Sequence, residues 1–197
     1  MKKNLYLILA GGLLLQSCAD EKSVVTIRDI ETNIYSEGLF VQEDSTVDRS
    51  KFTVGCNYIF TNLTAHNWSF VNKAFAMSPA DPSFKSLEKV TDIRIYTVQQ
   101  YNNHYIAGSD ISDSCLFNLY NQGYYESYQQ DRGHLRKAEI LKKMQEASDD
   151  FTQQAVMGFG ATPQTLPDAG SRQQLVIEVR TNKGTMVRDT SITFKIR

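Results

Sequence analysis

The chain has 197 residues, 21 basic and 22 acidic side chains for a formal net charge of −1, and 41% hydrophobic content. A near-neutral balance with no basic run longer than Lys142-Lys143 gives no electrostatic footprint for nucleic acid, so no nucleic-acid partner is expected. The length fits one domain able to bury a core of its own, and no internal repeat or low-complexity tract divides it.

Residues 1–17 have the layout of a secretory leader. Lys2 and Lys3 precede the apolar run "LYLILAGGLLL" (Leu5 to Leu15), which is short for a bilayer span and contains Gly11 and Gly12. Leu15-Gln16-Ser17-Cys18 follows, and it resembles a bacterial lipoprotein signal: Leu15, Ser17 and Cys18 match, while Gln16 is bulkier than usual. The resemblance implies cleavage before Cys18 and acylation of that cysteine, which gives outer-membrane lipid as a partner; two or three acyl chains hold a protein essentially permanently. The leader carries two lysines and no acids, so the 180 residues after it have a net charge of −3. Ala19, Asp20 and Glu21 are similar to the export signal that sends Bacteroidetes lipoproteins to the cell surface; the alternatives are a plain solvated tether and the periplasmic face. Residues 18–23 are thus read as lipidated cysteine and tether, and 24–197 as a single domain.

Along that domain, "VVTIRDIETNIY" (Val24 to Tyr35) is rich in β-branched residues and predicts a first strand. Asp44-Ser45-Thr46 resembles the three-residue O-glycosylation site of Bacteroidetes envelope proteins, and Asn62-Leu63-Thr64 fits the eukaryotic sequon. "KFTVGCNYIF" alternates strictly, with Phe52, Val54, Cys56, Tyr58 and Phe60 on one face. "WSFVNKAF" (Trp68 to Phe75) and "VTDIRIYTVQ" (Val90 to Gln99) read as strands on either side of the turn-rich segment with Pro79 and Pro82.

"AGSDISDSC" (Ala107 to Cys115) is an oxygen-rich turn that could hold calcium, but it lacks the ligand spacing of an EF-hand, and Asx- and Ser-turns account for the same residues. Tyr101, Tyr105, Tyr120, Tyr124, Tyr125 and Tyr128 are six of the nine tyrosines that follow the leader. They sit among asparagines and glutamines in a loop-prone stretch, a composition suited to binding a glycan or a protein; packing on a sheet edge is the competing reading. "GHLRKAEILKKMQEASDDF" then predicts an amphipathic helix over about 134–148, with Leu135, Ala138, Ile140 or Leu141, Met144, Ala147 and Phe151 at helical spacing. "QLVIEVRT" and "TSITFKIR" predict a closing hairpin about Asn182-Lys183-Gly184, with Ile192, Phe194 and Ile196 alternating in the return arm. Together these elements predict a mainly β chain, an immunoglobulin-like antiparallel β-sandwich with one inserted amphipathic helix, the alternative being a mixed α+β sheet.

Chemistry is sparse. His66, His104 and His134 show no metal-ligand spacing, so neither a metal site nor a cofactor is expected. No nucleophile elbow or Ser/His/Asp grouping stands out, and no carboxylate pair can be chosen from spacing. Cys56 and Cys115 are the thiols that remain after Cys18; an envelope compartment permits a disulfide between them, and burial as small hydrophobes is the alternative. The leader, the acids after it, the length and the segment "VTDIRIYTVQQYNNHYIAGSDISD" together resemble a family of Bacteroidetes lipoproteins carrying a domain of unknown function. That resemblance implies an envelope lipoprotein of immunoglobulin-like or related β architecture and brings no catalytic residues. The resulting expectation is a non-catalytic, lipid-anchored module that binds a glycan or an envelope protein, against a surface hydrolase acting on polysaccharide or peptide, or a structural part of an envelope assembly.

Overall fold

A computed structural model describes residues 22–62, 83–121, 134–149 and 156–197. The first strand, β1 (Lys22–Ser36), runs antiparallel to β4 (Phe52–Asn62) from the Val25–Asn62 pair to the Ser36–Phe52 pair. One irregularity interrupts it, where the register steps between Ile27 and Asp29. Val25 and Ile27 are buried before the step, and Ile30, Thr32 and Ile34 after it. Side chains alternate with a period of two, so an uninterrupted strand would turn its second half outward; the extra residue, exposed Arg28, restores the inward phase.

The larger layer continues from β4 to β8 (Val156–Pro163) and then β7 (Cys115–Asn121), all antiparallel. On the outer edge of β1, the short β2 (Leu39–Phe40) pairs at one end and β5 (Ser83–Ser86) pairs in parallel at the other. The smaller layer has the order β11 (Met186–Thr190), β10 (Leu175–Thr181), β6 (Val90–Thr97). A minor sheet joins β3 (Thr46–Val47), β12 (Phe194–Ile196) and β9 (Arg172–Gln173). The molecule is therefore a mainly β sandwich of antiparallel layers, and the α+β alternative does not describe it.

The core lies between the layers. Phe52, Val54, Cys56 and Tyr58 face it from β4 in the alternation read from sequence, meeting Ile93 and Ile95 of β6 and Leu175, Ile177 and Val179 of β10. Phe159 packs between Tyr58 and Phe117, with ring centroids 6.3 and 5.9 Å away. Two glycines stand at close approaches, the one at Gly158 against backbone and the one at Gly55 against a side chain that would have to move. A Cβ on Gly158 would stand 2.0 Å from the Cys56 carbonyl oxygen, and one on Gly55 would meet the Tyr35 ring at 2.6 Å.

Helix α1 (Lys137–Asp149) lies between β7 and β8 in the chain and packs against β6 and β7, the edge strands of the two layers on one side of the sandwich. It starts three residues later than the spacing suggested. The Arg136 N–H donates to Glu139 Oε2 at 2.7 Å, half of a capping box, and fixes the first turn there. Among its described side chains Ile140 and Met144 are the buried ones, and the Tyr58 hydroxyl donates to the Met144 sulfur at 3.6 Å. Ala138 faces solvent, and Leu135 stays outside the helix, bridging to Phe117.

The expected closing hairpin changes. The return arm of the hairpin is Met186–Thr190 rather than 190–197, because the turn closes with the Thr181 N–H on the Thr185 carbonyl and pairs Arg180 directly with Met186. Residues 194–196 leave that layer for the minor sheet, where the Phe194 ring packs tilted against Phe52, centroids 5.4 Å apart. Strands β7 and β8 were not anticipated. The strand expected at 68–75 lies outside the described residues.

The strand directions define two poles. Lys22, Asn62, Val90 and the turn after Thr181 share one, here the tether pole. Ser36, Phe52, Thr97, Cys115, Pro163 and Leu175 share the other, the far pole.

Candidate functional site

Cys18, Asp20 and Glu21 lie outside the described residues, as do Tyr124, Tyr125, Tyr128 and His66. The described tyrosines do not gather into one site. Tyr101 is completely buried: its hydroxyl donates to the Thr165 carbonyl at 3.1 Å and its ring stands edge-on to Tyr105, centroids 6.4 Å apart. Burial pushes its phenol well above the ordinary range. Tyr101 is thus a core strut, not a ligand contact, since it offers no face to solvent. Tyr105 is half-buried against it. Tyr120 belongs to a strand rather than a loop, opposite Gly158 and five residues beyond Cys115, roughly 17 Å along β7 from the far pole.

What the region around Tyr101 builds is a rigid far-pole platform. The Asn102 side-chain amide donates to the Leu166 carbonyl at 2.9 Å, and its Oδ1 accepts the N–H groups of His104 (2.9 Å) and Tyr105 (3.1 Å). Buried Gln173 donates to the Gln100 carbonyl at 3.0 Å and to Ser171 Oγ at 2.9 Å. These bonds fasten residues 98–106 to residues 164–173. Ile106 is 67% exposed on the platform, and Val98 and Leu166 are also exposed large apolar residues at this pole.

Adjoining the platform is the outer face of the smaller layer, which carries a charged ladder that sequence reading missed. The signal was present as the outward phase of each strand: Asp92, Arg94, Tyr96 and Val98; Val176, Glu178 and Arg180; Met186 and Arg188. Its meaning depends on register, because Glu178 stands directly between Arg94 and Arg188. The Glu178 carboxylate is nearly covered and takes Arg180 at 2.8 Å. Arg94 donates to Asp92 at 2.8 Å and to the Tyr96 hydroxyl at 3.3 Å, and these two contacts raise its pKa further. Arg188 lies over the Tyr96 ring, 5.8 Å from its centroid. Lys137 at the start of α1 reaches Asp92 at 3.0 Å and Ser112 Oγ at 3.1 Å, tying the helix to this edge. Burial works to raise the Asp92 pKa, but hydrogen bonds and charge from Arg94 and Lys137 outweigh it and hold the acid low.

Cys56 and Cys115 are both free and buried. They sit on β4 and β7 with β8 between them, and their partners Phe159 and Pro163 are four residues apart. That places them about 10 Å apart across the sheet and roughly 13 Å along it, far beyond the Cα separation a disulfide bridges, so the pairing considered from sequence is not made. Burial pushes the Cys56 thiol well up, with the Asp189 charge adding to it, and pushes Cys115 up to about 12. The serine-rich turn before Cys115 is held by its own hydrogen bonds: Asp110 Oδ1 accepts the Ser112 N–H at 2.9 Å, and Ser114 Oγ donates to the Ile111 carbonyl at 2.8 Å. Among the described residues no three His, Cys, Asp or Glu side chains converge as metal ligands. His104 and His134 are exposed. Asp44, first of the glycosylation-like triplet, has φ of 62° and its carboxylate pairs with Arg172.

No protein-family model matches the chain, and no curated protein is significantly similar to it.

Proposed function

We propose that the chain is a lipid-anchored, non-catalytic binding module of the outer membrane, displayed at the cell surface, whose far pole engages a protein partner. The observation that carries this reading is the position of the lipoprotein-like cysteine, Cys18, only four residues before β1 begins at Lys22. An acyl chain there ties down one pole and leaves the opposite pole free. The strand orders β1-β4-β8-β7 and β11-β10-β6 support the immunoglobulin-like assignment, since constant-type sandwiches pair four strands in one layer and three in the other in this same sequence of connections. Such a fold hosts many functions, so the partner class rests on the surface alone. Among the described residues the exposed large apolar side chains of the far pole are mostly aliphatic, Leu39, Val98, Ile106 and Leu166, with the one ring of Phe40 edge-on to Tyr35; an apolar set of this make-up suits a protein partner better than a saccharide, which favours several exposed flat rings.

Two measurements test the reading. Mass spectrometry of the protein from a lipoprotein-processing bacterium is expected to find acylated Cys18, with Cys18→Ala releasing the chain from membranes; a membrane-bound Cys18→Ala protein would end the anchor assignment. Cross-linking on intact cells is expected to return a fixed protein with the wild type and to lose it with Ile106→Arg at unchanged melting temperature. Capture of the same partner by the Ile106→Arg variant would remove the far pole from the proposal.

A further inference from the structure

We infer that the tether pole is itself a lipid-binding surface, a non-covalent foot that seats the domain on anionic headgroups. The inference rests on the lipid-anchor reading above and extends it to a second contact. From Cys18 to Lys22 the chain can reach at most about 14 Å, so an acylated Cys18 keeps this pole within a headgroup's depth or two of the bilayer and leaves no room for a partner of domain size between them.

Among the described residues, the chemistry exposed at that pole matches a lipid surface. The bend after β5 and the turn after β10 form one unit: the Lys89 N–H donates to Asn182 Oδ1 at 2.9 Å, and the Asn182 N–H donates back to the Lys89 carbonyl at 2.9 Å. Leu87 projects from this unit 49% exposed, and Lys183 of the same unit is exposed. The one acid within the unit, Glu88, is turned inward, where the hydroxyls of Thr26 and Thr181 donate to its two carboxylate oxygens. On the adjoining helix, Glu146 stands near Lys142 at 3.8 Å. A protruding aliphatic residue with a lysine in the same turn, and its local acid bonded to threonine hydroxyls, is the arrangement by which a surface inserts a side chain among acyl chains and places a cation at phosphates.

The test uses the full acylated chain in vesicles. Because Cys56 and Cys115 are buried, a single new surface cysteine can be labelled selectively; Met186→Cys reports the tether pole and Ala169→Cys the far pole. With a quencher carried on the lipid headgroups, the Met186 label is expected to be quenched several-fold more than the Ala169 label. That difference is expected to grow when phosphatidylglycerol is added to phosphatidylcholine and to shrink in high salt. Adding Leu87→Asp and Lys183→Glu, both exposed positions, should bring the Met186 label to the Ala169 level while the protein still sediments with vesicles. Equal quenching at both labels in acylated protein, or quenching indifferent to the paired substitution, would overturn the foot and leave the anchor standing. An unacylated Cys18 and no sedimentation would overturn both.

Discussion

Asp189 of β11 reaches across the open side of the sandwich to Thr32 of β1, its Oδ2 accepting the Thr32 backbone N–H at 2.7 Å. The contact joins the edge strands of the two layers on the side opposite α1. Between its short pairings with β5 and β2, β1 presents bare backbone there, and an inward-pointing carboxylate both satisfies one donor and discourages another strand from adding to the edge. Asp189→Ala is expected to cost about 1–3 kcal/mol by orphaning that donor and to produce concentration-dependent association. Urea denaturation and sedimentation measure the two effects; an unchanged midpoint with a strictly monomeric variant would contradict the account.

Gly158 cannot accept a side chain. Gly158→Ala drives a methyl group against the Cys56 carbonyl, and backbone on both strands must shift to admit it. The expected penalty is at least about 1–3 kcal/mol, larger than for Gly184→Ala in the hairpin turn, where only a φ of 82° is at stake and nothing lies near the added atom. If thermal melts rank the two variants the other way, the close approach is not what demands glycine there.

The thiols should be silent in the folded protein. With Cys18 blocked or removed, Cys56 and Cys115 are expected to resist an aromatic disulfide reagent at pH 8 and to react fully in denaturant, because both are buried and held protonated. Mild oxidation should yield no intramolecular bridge between them. Finding one by peptide mapping of folded protein would mean that β4 and β7 are not separated by β8.

Glu88 gives the fold an acid-sensitive clasp. Burial works to raise its pKa, but hydrogen bonds from Thr26, Thr181 and Thr185 and the charge of Lys183 prevail, so its folded value falls below the ordinary 4.5. A lowered carboxyl pKa contributes stability that is complete above the unfolded value and is lost as pH falls from about 5 through the folded value. Thr26 is on β1 and Thr181 ends β10, so the clasp joins the two layers at the tether pole. Glu88→Gln should therefore lower stability at pH 7, by on the order of 1 kcal/mol, and flatten the decline between pH 5 and 3. Parallel pH profiles for variant and wild type would show that the carboxylate is not the titrating group.

Where one face of a strand is buried and the other wet, the sequence was readable. Phe52 to Tyr58 and Val90 to Thr97 announce themselves by alternation, and Ile140 and Met144 by helical spacing. β8 hid behind Gly158, Gly160 and Pro163, which look like loop residues until the approach of the Cys56 carbonyl explains one of them. β11 hid because only Val187 of its five residues is buried; the bulk it lacks is supplied by β10, which is covered on both faces. The candidate surface was the least legible part. Tyrosine density says nothing of which way a ring faces, and Tyr101 faces in. The arginine ladder was written in the outward phase of three strands, but its sense comes from a register that places Glu178 between Arg94 and Arg188.

The arrangement of the chain ends has a mechanical consequence. Lys22 opens β1 at one pole, while Arg197 follows β12 toward the other, where its N–H is held by the Val47 carbonyl. A pull between an anchored amino terminus and a partner gripping the far pole would load β1 along its own axis. Its hydrogen bonds to β4 run perpendicular to that axis and would be strained together, in shear, instead of opening one after another like a zip. Under that load the domain would be strung in the direction in which a sheet resists tension best, and single-molecule extension from Lys22 and Arg197 should meet a higher rupture force than extension from Lys22 and Asn62, which sit side by side at the same pole.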